Sequence, residues 1–315
     1  MFSSIYVRLC LVLLVGPALL QGCSSAKPHL SRPATVNTYC DPPLPYQYEA
    51  TEQPLSNLDS ALALAPALAR QFSRHDLLVA NAVAIIPQLQ QLVQPNQLSV
   101  QDDEQIRQQI LTRLLSTQTQ IASLAAELDC EGERADQLAT YLDEQDDRRV
   151  RRLTIGSVVV GAVTTVITAF ISGDNADKIT GISGGLVSAA LGGAAAFSSN
   201  QRVPFQHQRN LLTDVWEQKK TSTTYSPAVW YVLNEKSFSN SQQYSIAHNI
   251  RQRWLDYVLS GTPDAERALY FGAGGPYRAD DLHTRANMLN QLQSSVRLIN
   301  QELQSLLLNL SKKRQ

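Results

Sequence analysis

The chain has 315 residues, 27 of them basic and 28 acidic, for a formal net charge of −1. Charge this balanced excludes the whole-molecule positive field by which nucleic-acid binders gather their ligand. The length suits one large domain or two small ones.

Residues 1–22 have the three parts of a secretion signal: Arg8, then an apolar run from Leu9 to Leu20 interrupted by Gly16 and Pro17, then Gln21-Gly22 before Cys23. The run is too short to span a bilayer and is left out of fold reasoning. Leu20-Gln21-Gly22-Cys23 resembles the bacterial lipobox. That resemblance implies cleavage before Cys23 and a diacylglycerol on its sulfur, which makes Cys23 the lipidation residue. It also implies an outer-membrane lipid anchor facing the periplasm, because Ser24 is not the Asp that retains enterobacterial lipoproteins at the inner membrane. An ordinary cleaved signal that leaves Cys23 as a thiol is the alternative.

Cys10 would leave with the signal, so Cys40 and Cys130 remain as an even pair in an oxidising compartment. They are expected to form a disulfide, against the alternative of two independent thiols. Residues 23–56 carry Pro28, Pro33, Pro42, Pro43, Pro45 and Pro54 among Ser and Thr, and read as a tether.

A helical segment follows over 57–152. Two short apolar helices are expected near 57–72 and 75–94, divided or kinked at Pro66 and Pro87. Ser99-Val-Gln-Asp102 matches a capping arrangement for the next helix. A spacing of three and four then runs through Ile110, Leu114, Thr117, Ile121, Leu124, Leu128, Glu131, Ala135, Leu138 and Leu142, with eight of the ten apolar. This is a long helix with one narrow apolar seam.

Residues 153–200 are the most unusual stretch. Leu153 to Gly173 carries no charge, Asp174-Asn-Ala-Asp177-Lys178 makes a polar turn, and Ile179 to Gln201 is again uncharged. Each arm is close to the ~20 residues that a spanning helix needs. Small residues recur every fourth position, through Ser157, Gly161, Thr165, Ala169 and Gly173 in the first arm and Gly181, Gly185, Ala189 and Gly193 in the second. Such stripes let two helix backbones approach closely. By these residues the chain resembles outer-membrane lipoproteins with a glycine-zipper hairpin, which implies an envelope-integrity role and a hairpin that oligomerises or touches membrane. The alternatives are a dry core in a soluble helical domain, or a hairpin that packs only against copies of itself.

Arg148, Arg149, Arg151 and Arg152 stand just before this hairpin. An inner-membrane span would place them in the cytoplasm, yet a lipidated N-terminus lies outside it and no earlier span connects the two sides. They are expected to contact anionic headgroups, or else to be a solvated turn beside Asp143, Glu144, Asp146 and Asp147.

Residues 201–315 read as helical. Pro204 is expected to open a helix containing Leu211, Leu212, Val215 and Trp216, and Ser226-Pro227 caps another. Ile246, Ile250, Trp254 and Val258 line a third that stops at Gly261. The last helix carries a second seam through Leu282, Arg285, Leu289, Leu292, Val296, Ile299, Leu303, Leu306 and Leu310, with Asp280 or Asp281 at its start. The two seams call for each other or for a second copy of the chain. No segment alternates with period two, so the fold class is all-α.

Sites for chemistry are sparse. His29, His75, His207, His248 and His283 show no zincin spacing, and no metal or cofactor is expected. Phe271 to Tyr277 is glycine-rich but lacks the ending of a phosphate loop, and reads as a tight turn. Trp216, Trp230, Trp254, Tyr231 and Tyr270 suit core packing better than a pocket lining. No catalytic residue is assigned. The expected role is a lipid-anchored envelope structural or interaction protein that self-associates or holds an envelope partner. The alternative is a membrane-perturbing protein, since the layout loosely resembles α-helical pore-forming toxins; an enzyme is the weaker third.

Overall fold

The chain divides into two units, Met1–Thr35 and Val36–Gln315. The computed structural model describes residues 40, 42, 46–93, 99–170, 186–194 and 201–312. The signal segment, Cys23, Gly173, Gly181 and Gly185 lie outside the described residues.

The fold is all-α apart from one small strand pair. Four short helices come first: α1 (Leu58–Leu64), α2 (Pro66–Gln71), α3 (Arg74–Ala82) and α4 (Ile86–Leu92). Pro66 and Pro87 fall where their missing N–H groups do no harm, in the first turns of α2 and α4. Between α3 and α4 the chain turns at Ala84, which has φ of 57°. α3 is buried along nearly its whole length, from Asp76 to Ala82. Ser73 and Asp76 form its capping box.

Helix α5 (Val100–Phe170) runs for 71 residues without a break, which at 1.5 Å per residue is about 107 Å. No proline occurs in it. Ser99 and Asp102 cap its start reciprocally, Asp102 N donating to Ser99 Oγ at 3.1 Å and Ser99 N to the Asp102 carboxylate at 3.3 Å. Every seam position from Ile110 to Leu142 is buried except Glu131. The partner is α11 (Ala279–Lys312), whose own seam is buried from Leu282 to Leu306. The two run antiparallel: His283 meets Asp136 and Asp143, whereas Gln293 Nε2 donates to Ala125 O at 3.1 Å. The two seams therefore satisfy each other within one chain. At the crossing, a Cβ on Gly132 would lie 3.0 Å from Asn290 Oδ1 and 3.8 Å from Ala286 O. Gly132 marks a close approach of the two helices.

A short helix over 186–194, α6, is the described part of the hairpin's second arm. Then come β1 (Val203–Gln206), α7 (Thr213–Glu217), α8 (Pro227–Asn234), α9 (Ile246–Arg253) with a π turn at Trp254–Val258, α10 (Asp264–Phe271) and β2 (Gly274–Tyr277). Ser226 caps α8 and Pro227 opens it. Gly261 takes a positive φ of 80° after the π turn.

Four expectations need correction. Pro204 does not open a helix; it sits in β1, paired with Pro276 of β2, and the helix that holds Val215 and Trp216 starts only at Thr213. The glycine-rich run after Phe271 is not a bare turn, because Gly274 to Tyr277 is a strand antiparallel to β1. Residues 46–56 are not free tether. Leu55 exchanges two hydrogen bonds with the buried side chain of Asn81, at 2.9 and 3.1 Å, and Glu52 pairs with Arg113 at 2.6 Å. Proline-rich composition signals a lack of helix, and such a segment still docks where its carbonyls and acids find partners. α5 also runs unbroken across residues 152 and 153, so the body and the hairpin share one helix.

Candidate functional site

Long helices bury one face when a partner covers it and expose that face when none does. α5 does both. Leu142 is its last buried residue, and from Asp143 onward every described side chain is exposed or half-buried. The same helix thus leaves the body and carries the four arginines and then the apolar first arm outward.

Arg148, Arg149, Arg151 and Arg152 are all exposed. Arg148 pairs with Glu144 at 3.2 Å, in an exposed i, i+4 geometry whose energy water screens. Arg149, Arg151 and Arg152 have no ion pair among the described residues. A hollow of about 380 Å³ is lined by Gln145, Arg148, Arg149, Arg152 and Leu153.

Beyond the arginines most of the large apolar side chains point outward: Ile155, Val158, Val159, Val163 and Val166 of α5, with Leu186 and Val187 of α6, are between 47% and 66% exposed. The half-buried face carries Gly156, Ser157, Gly161, Thr164 and Ser188, with Leu153, Val160 and Leu191 beside them. Ser188 Oγ donates to Ser157 O at 3.1 Å, and an added Cβ would lie 3.8 Å from Ser188 Oγ at Gly161 and 3.8 Å from Leu191 Cδ1 at Gly156. Those distances are ordinary contact, so a methyl group fits at Gly161 whereas a branched side chain would push the arms apart. Nothing described lies within 4 Å of the Cβ position at Gly193, so among the described residues it makes no close approach. Among the described residues no helix is long and apolar enough to cross a membrane.

Cys40 and Cys130 are bridged, with Cα atoms 5.8 Å apart. The bridge fixes the chain that leads back toward Cys23 to a point on α5 within the body, 18 residues before Arg148.

The other groups capable of chemistry are enclosed. His207, which the sequence singled out only as one of five histidines, lies under β1 and β2, its Nδ1 2.9 Å from Gly272 O and its Nε2 3.0 Å from Tyr277 Oη. Burial, helped by Arg285 and Arg134, holds its pKa down to about 3, so the imidazole is neutral. Burial pushes the Tyr277 hydroxyl well above its usual range. Arg285, the polar member of the last seam, is fully buried and donates from Nη1 to Tyr270 O at 3.0 Å and Asn210 Oδ1 at 3.3 Å. Burial pushes its guanidinium down to about 10. Asp281 accepts from Tyr270 Oη at 3.1 Å and from Arg278 N at 3.0 Å, the second bond closing the start of α11. This network ties β1, β2, α10 and α11 together, and the hollow beside the arginines does not touch it.

The aromatic residues pack as core. Trp254 is fully buried, Trp216 stacks on Phe271 with centroids 4.1 Å apart, and Trp230 on Tyr225 at 5.0 Å. No cluster of three or more His, Cys, Asp or Glu side chains suited to a metal occurs among the described residues. No protein-family model, curated protein or solved structure matches the chain.

Proposed function

We propose that this chain is a lipid-anchored envelope interaction protein, with Cys23 carrying the anchor and the 153–200 hairpin serving as its contact element. The supporting observation is the change in α5 beyond Leu142. Up to that residue its apolar seam is core, although Val100, Leu111 and Leu115 are exposed; beyond it no described side chain is buried, and Ile155, Val158, Val159, Val163 and Val166 stand exposed along a projecting helix. An apolar surface of this kind lowers solubility unless something covers it. The lipobox-like Leu20–Cys23 supports export, and the Cys40–Cys130 bridge is consistent with an oxidising compartment. Outer-membrane localisation follows from the lipobox resemblance and Ser24.

The test is site-specific photo-crosslinking in cells, with the probe placed in turn at Val159 on the hairpin and at Leu307 on the body, both exposed. Crosslinks to an envelope component from Val159 are the expected result. A silent Val159 beside a productive Leu307 overturns the hairpin as the contact element.

A further inference from the structure

The exposed face of the projecting helix has an order along it. Each of positions 148, 151, 152, 155, 158, 159, 162, 163 and 166 lies three or four residues from another of the set, so they share one side of α5. Three arginines occupy the end nearer the body, and Ile155, Val158, Val159, Ala162, Val163 and Val166 follow, all exposed. Arg149 flanks them. The acidic residues lie on the body side of the arginines, at Asp143, Glu144, Asp146 and Asp147, and only Glu144 is paired to one of the four, Arg148. The opposite face, with Gly156, Ser157, Gly161 and Thr164, is half-buried and turned to the second arm.

Resting on the anchored-interaction reading above, we propose that this arginine-to-valine face lies in the plane of an anionic lipid surface, and that this surface is the membrane that holds the chain's own anchor. Cationic and apolar side chains on one side of a helix match headgroup phosphates and the acyl boundary together. A spanning arm needs its arginines at headgroup depth but not in phase with its valines. A second copy laid in parallel on this face would set arginine against arginine.

The bridge supplies the reach. Cys23 and Cys40 are 17 residues apart in sequence. Such a length spans at most about 60 Å. From Cys130 to Arg148 is 18 residues of helix, about 27 Å. The anchored membrane therefore falls within reach of the arginines. Contact is then intramolecular, and a face of modest intrinsic affinity suffices.

The test uses the unacylated chain from Ser24 onward, whose folded unit begins at Val36. It is floated with phosphatidylcholine vesicles, neutral or with roughly one third phosphatidylglycerol. Flotation with the anionic vesicles alone is expected, falling as salt rises. The combined variant Arg148→Gln, Arg149→Gln, Arg151→Gln, Arg152→Gln is expected to bind at least about tenfold more weakly. Val159→Asp with Val163→Asp is expected to abolish binding. All these side chains are exposed, and helicity with an intact Cys40–Cys130 bridge verifies that each variant folds. Absence of flotation at low salt, or equal binding to neutral vesicles, overturns the proposal. If flotation is absent and the aspartate variant instead lowers the native mass, a second copy covers the face; the lipid assignment then fails while the interaction reading stands. Deep quenching of a fluorophore at position 166, as against shallow quenching, overturns the in-plane arrangement. Acylated protein that clusters separate vesicles overturns the same-membrane assignment.

Discussion

Gly274 adopts φ of 96°, and an added Cβ would collide with the carbonyl oxygen of Phe205 on the paired strand. Gly274→Ala therefore adds backbone strain and a clash with backbone that cannot swing aside, a loss of about 1–3 kcal/mol or more. A lowered midpoint in urea unfolding, with an unchanged result for alanine at half-buried Gly193, where nothing described meets an added Cβ, checks it. Arg285 makes the opposite case. Its two acceptors keep other donors, since Asn210 Nδ2 donates to Tyr270 O at 2.8 Å and Leu212 N to Asn210 Oδ1 at 3.1 Å. Arg285→Met thus strands no acceptor and removes a buried charge, so it is expected to leave stability within about 1 kcal/mol of the parent or raise it. Arg285→Ala opens a void in the seam and is expected to lose about 2–5 kcal/mol. Equal losses for both variants would show that the guanidinium itself holds β1, α10 and α11 together. The sequence marked Arg285 as a polar member of an apolar seam but offered no partner, because Asn210 and Tyr270 are brought to it from 75 and 15 residues away. The strand pair was invisible for a related reason: each strand is four residues long, the two start 71 residues apart, and each contains a proline.

The helices α5 and α11 were legible because seam spacing is a local signal, and each seam names the face that must be covered. What the spacing left open was the partner, which the bonds of Gln293 to Ala125 and of His283 to Asp136 and Asp143 identify as the other seam. His283 lies 2.9 Å from Asp136 and 3.0 Å from Asp143 at the hairpin end of the pair. Partial burial lowers its affinity for a proton, but the two carboxylates outweigh that and raise the pKa above 6.5. A raised folded pKa makes the folded state hold the proton more tightly than the unfolded one. The resulting stabilisation is complete below pH 6.5 and fades as pH rises through the folded value. His283→Gln is expected to cost stability near pH 5.5 and much less near pH 9. The side chain is 41% exposed, so solvent screens the pair and the effect shrinks with salt. A pH-independent difference would remove the ionic account. The cysteine pair was legible from its number together with an expected oxidising compartment, and its consequence belongs to this scale because the closed loop contains α1 to α4 and the first part of α5. Cys40→Ser with Cys130→Ser is expected to lose about 4 kcal/mol in the chain-entropy model. Thermal unfolding with and without reductant measures it, and the double variant should match the reduced parent.

At the scale of the whole molecule, the described structure is a body held by two long helices, with one of them continuing outward as the hairpin's first arm. The composition of 153–200 showed that this stretch differs from the rest, whereas its exposure is a property of what lies around it and could not be read from the residues. No described residue of α5 beyond Leu142 and none of 186–194 is buried, and burial resumes at Phe205. If the hairpin contributes nothing to the core, excising it should leave the body intact. Replacing 146–200 with a Gly/Ser linker of about ten residues gives an r.m.s. reach of roughly 17 Å. The gap is similar, because β1 ends beside Arg134, whose guanidinium donates to Gln206 O at 3.2 Å. From Arg134 to Gln145 is 11 residues of helix, about 17 Å. The excised protein is expected to keep its Cys40–Cys130 bridge and a midpoint within about 3 °C of the parent. It should lose helicity in proportion to the helix removed, and its maximum dimension by small-angle scattering should shorten by about 30 Å or more. A body that unfolds or aggregates after excision would mean that the hairpin's valines complete a core with residues outside the described set. A stable body that no longer reaches envelope partners in the crosslinking test would assign contact to the hairpin and stability to the α5–α11 pair.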